Sequence, residues 1–313
     1  MNKHISNARA IEGKPKAVFL LLEIIVVAIL PFIIAIYIRQ MAMDYLFTPL
    51  IENLPYLWFL SFRAFLFHFT SFGFIIIYLF AIVKYYEKRK IKHLGFSSKK
   101  LFFRGMRGIV LALVMMGAIV FTILILDQGT IDKTHLLADG LQSIPYLIII
   151  LCGRLIQGSA EEMVFQGWAL PKIGKTYTPL IGVVFVSLLF AVAHGMNPNM
   201  SFLAGINLIL YGLFAAFYVL YERSIIGIMM FHAFWNFFQG NVFGLAVSGS
   251  GLSAISFTSV VFEENSILNG GAFGAESSLI TTIVLCIGVS ILVFLYRKET
   301  HQKIEANEQV VSA

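Results

Sequence analysis

The sequence predicts an all-α fold: a polytopic transmembrane helical bundle of about eight spans, with a polar cavity in its C-terminal half. Of the 313 residues, 58% are hydrophobic and 13% are charged, whereas soluble domains have roughly 25% charged residues. A helix needs about 20 mostly apolar residues to cross a bilayer. Apolar runs of this length recur along the chain. Polar residues inside these runs are concentrated after residue 143. These three observations set the fold class and place the cavity.

The predicted spans lie, in chain order, near residues 17–38, 60–83, 108–126, 143–164, 179–199, 201–221, 225–245 and 278–296. The first is too long for a signal-peptide core, so we expect it to be a retained helix. When the spans are threaded in order, 19 of the 23 lysines and arginines fall on one side. The positive-inside rule then predicts a multi-pass protein of the cell membrane with both termini in the cytoplasm.

The net charge of +6 does not indicate a nucleic-acid partner. The densest cluster of cations, between Lys84 and Arg107, lies between two spans and is therefore first a topology signal and a contact for lipid headgroups. Cys152 and Cys286 lie in apolar segments and lack the spacing of a metal site or a disulfide framework. We expect the lipid bilayer as a partner and no nucleic acid.

The chain divides into three regions. Residues 1–142 form an N-terminal cytoplasmic tail and three flanking helices, residues 143–245 form the core that carries the polar chemistry, and residues 246–313 form an external Gly- and Ser-rich loop, a last helix and a cytoplasmic tail. Polar groups in hydrocarbon must satisfy one another or face a wet cavity, so the core helices should surround a polar interior. The loop from about 248 to 277 is either a lid or a slack connection.

Two adjacent carboxylates, Glu161 and Glu162, lie inside the fourth span. A charge at the centre of a bilayer costs at least ~2.5–3.5 kcal/mol, so an ionisable residue there indicates a functional site with partners. The fourth and fifth spans are predicted antiparallel neighbours, and Glu161 and His194 are equidistant from the turn near Tyr177. We therefore expect Glu161 to face His194.

Two further polar pairs have i,i+4 spacing, which places both members on one helical face. They are His232 with Asn236 on the seventh span, and Glu162 with Gln166 on the fourth. Three polar faces on three helices can then meet at one place.

These side chains have two chemical uses. Glu161 can act as the general base on a water that His194 orients, with His232 and Asn236 donating to an oxyanion. Alternatively, Glu161, His194 and His232 can bind zinc with an open coordination position. The spacing lacks the compactness of a His-Glu-x-x-His motif, so the sequence leaves zinc and metal-free hydrolysis both open. A purely structural network of polar residues between helices is the alternative to both.

Three motifs follow one another on successive hydrophobic helices: Glu161-Glu162-x-x-x-Gln166-Gly167, Phe190-x-x-x-His194 and His232-x-x-x-Asn236. Together they resemble the signature motifs of the CPBP family, the CAAX-protease and bacteriocin-processing intramembrane endopeptidases, also called Abi or Rce1-like. The similar region is about 143–245.

The resemblance implies an eight-helix membrane protease in which Glu161 activates water and His194 positions it. His232 and Asn236 would contact the tetrahedral intermediate, and Glu162 is the second carboxylate of the catalytic set. The implied substrate is a peptide or a lipid-anchored protein in the membrane. Family members are described as metalloproteases or glutamate peptidases, so the cofactor is zinc or none. Bacterial members are linked to bacteriocin immunity, which makes a bacterial membrane and a non-catalytic immunity or binding protein the further expectations.

One residue departs from the family pattern. The first motif usually ends in arginine, whereas this chain has Gln166, which cannot offset the charge of a neighbouring carboxylate. Arg154 lies seven residues before Glu161, ~10 Å along a helix axis, so only an extended side chain could compensate.

Overall fold

The computed structural model describes residues 17–97, 100–132 and 140–312. The predicted all-α class is confirmed, since these residues form eight helices and one two-stranded ribbon. The helices are α1 (Val18–Ile51), α2 (Tyr56–Tyr86), α3 (Leu101–Ile125), α4 (Gly140–Thr176), α5 (Pro179–Ala193), α6 (Phe202–Glu222), α7 (Ile226–Phe237) and α8 (Leu279–Ser312).

Six of the eight helices of the described chain are long and apolar enough to cross a membrane, and α5 and α7 are shorter. The number of helices matches the predicted eight, but the number of membrane-length helices does not. Helix α5 ends at Ala193 because Gly195 and Pro198 follow, and proline cannot continue a helix. Helix α1 runs well beyond residue 38, since its polar end is stabilised by an i,i+4 hydrogen bond of 2.7 Å from Gln40 to Asp44.

The core helices pack closely where small residues face one another. Helix α7 packs against both α3 and α4, while α6 packs against α5 and α8, and α2 packs against α4. A Cβ atom at Gly158 of α4 would lie 2.6 Å from the backbone nitrogen of Ala233 on α7. This contact holds the backbones together, one helical turn from the tandem glutamates, and so brings α7 to the carboxylates.

Helix α4 changes its hydrogen-bond pattern directly after Glu162. Met163–Ala169 forms a π-helical segment, and all seven of its residues are buried. Such segments are frequent at functional sites. The i,i+4 pair predicted for Glu162 and Gln166 therefore spans the start of a π-helical segment, in which Gln166 is fully buried.

The loop between α7 and α8 is tied to the rest of the protein. Its strand β2 (Val260–Val261) pairs antiparallel with β1 (Thr130–Ile131), in the loop that follows α3. Asn207 of α6 donates hydrogen bonds of 2.9 Å to the carbonyl groups of Glu276 and Ser278. The loop is thus held by hydrogen bonds to α6 and to the loop after α3.

A buried ion-pair cluster joins α1, α4 and the segment after α2. The ammonium of Lys172 lies 2.7 Å from Glu23 and 3.0 Å from Glu87. The indole of Trp168 donates to Oε1 of Glu87 at 3.1 Å. The guanidinium of Arg89 lies 2.6 Å from Oε2 of the same glutamate. Burial alone would raise the pKa of Glu87, but the charges of Lys172 and Arg89 outweigh it and hold that pKa below its usual range.

Candidate active site

Glu161 lies between two histidines that come from different helices. Its Oε2 atom is 3.5 Å from Nε2 of His194, at the end of α5, and 3.8 Å from Nε2 of His232, on α7. Both histidines are buried or nearly so, and Glu161 is 3% exposed. The structure thus brings together three residues that are up to 71 positions apart in the sequence.

The other ring nitrogen of each histidine fixes its orientation. Nδ1 of His194 lies 2.8 Å from the backbone carbonyl of Phe190, and Nδ1 of His232 lies 2.8 Å from Oε1 of Glu162. Since a carbonyl and a carboxylate only accept hydrogen bonds, each Nδ1 must carry the proton. In the neutral form of both rings, the two Nε2 atoms are then acceptors that point toward Glu161.

Oε2 of Glu161 is buried and has no well-formed hydrogen bond within the described residues. When both rings are neutral, it faces two ring nitrogens that can accept but not donate. Such a cluster of acceptors is stabilised by a donor shared among them, and a water molecule supplies two hydrogens for this purpose. The arrangement is chemically suited to take a proton from water.

Glu162 points to a different set of partners. Its Oε1 atom accepts hydrogen bonds from Nδ1 of His232 at 2.8 Å and from the hydroxyl of Tyr211 at 3.1 Å. Tyr211 is held near α5 by a close approach of α6, because a Cβ at Gly212 would lie 2.6 Å from Cα of Ser187. Glu162 thus orients a histidine, while Glu161 faces the open side of the site.

Asn236 lies on the same face of α7 as His232 and is 4% exposed. It lines a small cavity of about 30 Å³ together with both histidines, Tyr211 and Glu276. All five site residues predicted from the sequence are therefore in one region, four of them on α4 and α7 and His194 at the end of α5.

A larger cleft of about 300 Å³ reaches Glu161 and His194 from the side of α1 and α2. Its wall includes apolar side chains such as Phe32, Phe72 and Ile75. The cleft connects the polar cluster to a surface formed by membrane-length helices.

Arg154 approaches Glu161 through an intermediate side chain. Its guanidinium donates to Oε1 of Gln157 at 2.9 Å, and the amide of Gln157 donates to Oε1 of Glu161 at 3.5 Å. Arg154 interacts electrostatically with Glu161 and also with Glu276. The compensation proposed for Arg154 is thus a relay through Gln157 over about two helical turns and involves no direct contact.

Tyr211 and Glu276 are residues of the site that the motifs did not indicate. Tyr211 lies four residues after the polar Asn207 on α6, so i,i+4 spacing was a signal for it. Glu276 lies in the loop before α8, where it accepts a hydrogen bond from the backbone N–H of Ser248. Burial raises the pKa of Glu276, and this hydrogen bond partly offsets that effect. No local sequence pattern marks Glu276.

The three side chains predicted as zinc ligands, Glu161, His194 and His232, meet around one oxygen atom. Imidazole and carboxylate are ligands that zinc accepts. Across the described ranges, however, no group of three histidine, cysteine, aspartate or glutamate side chains is arranged to hold a metal ion. We therefore derive no chemical step through a metal ion, and the zinc site stays a prediction.

The fold and this site define a polytopic membrane protein with a buried acid–base cluster between its helices. Residues 143–238 match the family model described as type II CAAX prenyl endopeptidase Rce1-like. By this match, the segment belongs to the Rce1-like family, which is a family of proteases, and the resemblance inferred from the three motifs is confirmed. The matched segment contains all five predicted site residues and Tyr211, but not Glu276.

Comparisons with curated proteins and with solved structures find no match. The catalytic type, bacteriocin immunity, the cytoplasmic placement of the termini and the bacterial source are not addressed by the family match and stay predictions.

Proposed function

We propose that this protein is an intramembrane endopeptidase, similar to the CAAX prenyl proteases, that hydrolyses a peptide bond of a membrane-associated protein. The observation that carries the proposal is the convergence of both histidine Nε2 atoms on Oε2 of Glu161, inside the segment that matches the family. A polar network that only packed helices together would pair donors with acceptors. It would not need two histidine nitrogens, both acceptors in the neutral rings, to point at a carboxylate oxygen, which is a third acceptor.

Water is the nucleophile in the proposed reaction. Glu161 takes one proton from it while the water oxygen bonds to the carbonyl carbon of the substrate, and Nε2 of His194 accepts a hydrogen bond from the other hydrogen. The carbonyl oxygen becomes negatively charged in the tetrahedral intermediate. When the intermediate collapses, Glu161 delivers its proton to the leaving nitrogen and the C–N bond breaks.

His232 and Asn236 are proposed to stabilise the oxyanion. The amide of Asn236 is a neutral donor, whereas Nε2 of His232 donates only when the ring is protonated. Glu162, 2.8 Å from Nδ1, stabilises that imidazolium by charge and by hydrogen bonding. The second carboxylate therefore acts through His232 and does not need to contact the substrate.

The cleft at α1 and α2 is proposed as the polar cavity expected from the sequence and as the substrate path. Its apolar wall of Phe32, Phe72 and Ile75 suits a segment that is partly embedded in lipid, and its inner end reaches Glu161. A protein substrate anchored in the membrane can present its peptide bond there without leaving the bilayer.

The test uses the full chain in lipid vesicles with a panel of lipid-anchored peptides that carry a CAAX C-terminus. We expect Glu161→Gln to lower cleavage by at least about 100-fold, because the amide cannot accept the proton, while thermal stability is retained. His194→Ala should have a similar effect. Glu264→Gln, the same substitution at an exposed position of the α7–α8 loop, is the matched control and should keep full activity.

Two results would contradict the proposal. Cleavage that persists in Glu161→Gln removes Glu161 as the base. A wild-type protein that cleaves no peptide but binds the peptides equally well with and without Glu161→Gln supports the non-catalytic immunity or binding protein instead.

A further inference from the structure

A second large cavity lies far from the Glu161 cluster. It has a volume of about 580 Å³ and is bounded by the start of α3 and the ends of α6 and α8. Glu222, on its wall, is 11 residues after Tyr211, ~16 Å along the axis of α6. The two sites therefore share a helix but no side chain.

The wall of this cavity is rich in cations. Lys100, Arg104, Arg107 and Lys298 line it, together with two carboxylates, Glu222 and Glu299. The formal charge of its wall is thus positive. The cations come from two helices that are neighbours in space, although they are almost 200 residues apart in the sequence.

Both carboxylates already have a cationic partner. Glu222 lies 3.0 Å from the guanidinium of Arg107, and Glu299 forms an ion pair with Arg223. In contrast, Lys100, Arg104 and Lys298 form no salt bridge within the part of the chain that the structure describes. Lys100 and Lys298 are therefore left without a carboxylate partner among the described residues, while Arg104 shares the negative charge of Glu222 with Arg107.

Arg104 has a buried donor that no described residue satisfies. Its Nη2 atom donates to the backbone carbonyl of Glu222 at 3.3 Å, whereas its Nη1 atom is buried and has no hydrogen-bond partner among the described residues. A buried donor on a charged group is costly unless it is paired. A bound anion would satisfy it.

The cavity also has an apolar side. Phe103 and Leu295 line it, and Phe103 is 67% exposed on the outer surface of α3, a helix long enough to cross a membrane. A ligand that fills the cavity can thus place an anionic group against Arg104 and extend an apolar chain over Phe103. The volume lies within the range of about 300–1,000 Å³ that is usual for ligand pockets.

We propose that this cavity binds a phosphate group, and that the group is carried by the headgroup of an anionic phospholipid. Arginine and lysine are the usual phosphate-binding side chains, and basic pockets between transmembrane helices bind such headgroups. A lipid bound there bridges α3, α6 and α8. Inorganic phosphate could satisfy the same cations, so the experiment separates the two sources.

The experiment measures the thermal unfolding midpoint of the full chain in detergent, with added phosphatidylglycerol, phosphatidylcholine or inorganic phosphate at equal ionic strength. We expect phosphatidylglycerol to raise the midpoint in a saturable way and phosphatidylcholine to leave it unchanged. Native mass spectrometry of the same samples should show bound phosphatidylglycerol.

Paired variants locate the effect. Arg104→Gln with Lys298→Gln should weaken phosphatidylglycerol binding by about tenfold or more, since each cation contributes to headgroup binding. Lys90→Gln with Lys92→Gln removes the same charge from exposed positions between α2 and α3, outside the cavity, and should weaken binding far less than the first pair does. If the first pair does not fold, Lys298→Gln alone, compared with Lys92→Gln alone, gives the same comparison.

Three outcomes would overturn the proposal. Equal stabilisation by phosphatidylcholine removes the role of the anion, and equal loss of binding in the two double variants removes the cavity. Stabilisation by inorganic phosphate that phosphatidylglycerol does not exceed assigns the site to a soluble anion and not to a lipid. None of these readouts depends on peptide cleavage.

Discussion

Nδ1 of His232 lies 2.8 Å from Oε1 of Glu162, and the same oxygen accepts the hydroxyl of Tyr211 at 3.1 Å. The neighbouring Glu161 has an oxygen without a well-formed hydrogen bond, aimed at two Nε2 atoms. Two adjacent carboxylates thus have different environments. We assign the role of general base to Glu161. We assign to Glu162 the role of orienting and stabilising the His232 ring.

The first prediction concerns that support. Glu162→Gln should reduce cleavage by about 100-fold or more, because a neutral amide does not stabilise the His232 imidazolium and can donate to Nδ1, which reverses the tautomer. Tyr211→Phe removes only one neutral hydrogen-bond donor to Glu162. It should raise the activation free energy by about 1 kcal/mol, which lowers the rate by less than tenfold. Both are measured as kcat/KM on a lipid-anchored peptide. Equal losses in the two variants would show that the charge of Glu162 has no separate role.

The second prediction concerns Glu276, which lines the small cavity with both histidines. Glu276→Gln keeps an oxygen for the Ser248 N–H and removes only the negative charge. Loss of this charge should shift the pKa of the neighbouring histidines by about one unit. We therefore expect kcat to fall by about tenfold, with unchanged thermal stability. Glu276→Ala also breaks the link to Ser248 and should lower both activity and stability. If the two variants have the same activity as the wild type, Glu276 serves only to hold the loop.

The facing of Glu161 and His194 could be predicted because α4 and α5 form a hairpin, and depth along a helix depends only on the rise per residue. The change of helix type around Gln166 could not be predicted in this way. A π segment has no plain sequence signature, so residues 163–169 do not follow the assumed α-helical spacing.

Helix lengths and loop contacts were harder to predict for a different reason. Hydropathy ends a span at the first polar residues, but α1 continues through Arg39 and Asp44 because its backbone bonds remain satisfied. Glu276 reaches the site because Asn207, 69 residues earlier in the sequence, donates a hydrogen bond to its backbone carbonyl and so fixes the loop. Such long-range hydrogen bonds leave no trace in local patterns.

The third prediction concerns the departure from the family motif. Gln166 is fully buried in the π segment that directly follows the tandem carboxylates. If charge balance decides, Gln166→Arg should preserve or raise cleavage, since the new cation compensates a carboxylate. Gln166→Leu is the control for volume. Loss of cleavage in Gln166→Arg with unchanged stability would contradict the charge-balance view and favour the relay from Arg154.

The fourth prediction concerns metal. A reaction that uses Glu161 without zinc should survive a chelator, and the purified protein should contain far less than one zinc per chain by elemental analysis. His232→Ala should then alter cleavage without altering metal content. Stoichiometric zinc that is lost together with activity would contradict the metal-free mechanism and return the predicted ligands Glu161, His194 and His232 to consideration.

The fifth prediction concerns the buried cluster around Lys172, whose ammonium contacts both Glu23 and Glu87. Lys172→Met leaves two carboxylates without this partner, which should cost about 3–5 kcal/mol of stability.

The effect of this substitution should depend on pH, because the pKa of Glu87 in the folded protein is held below its usual range. The stability that ionised Glu87 provides is present above its unfolded-state pKa of about 4.3. It is lost as pH falls through the lower folded-state pKa. The difference in unfolding midpoint between wild type and Lys172→Met should therefore be full at pH 7 and shrink below about pH 4. Lys92→Met, at an exposed position, is the control and should show no difference at either pH. A gap that stays constant under acid conditions would mean that lost packing of the lysine stem, and not its charge, explains the effect.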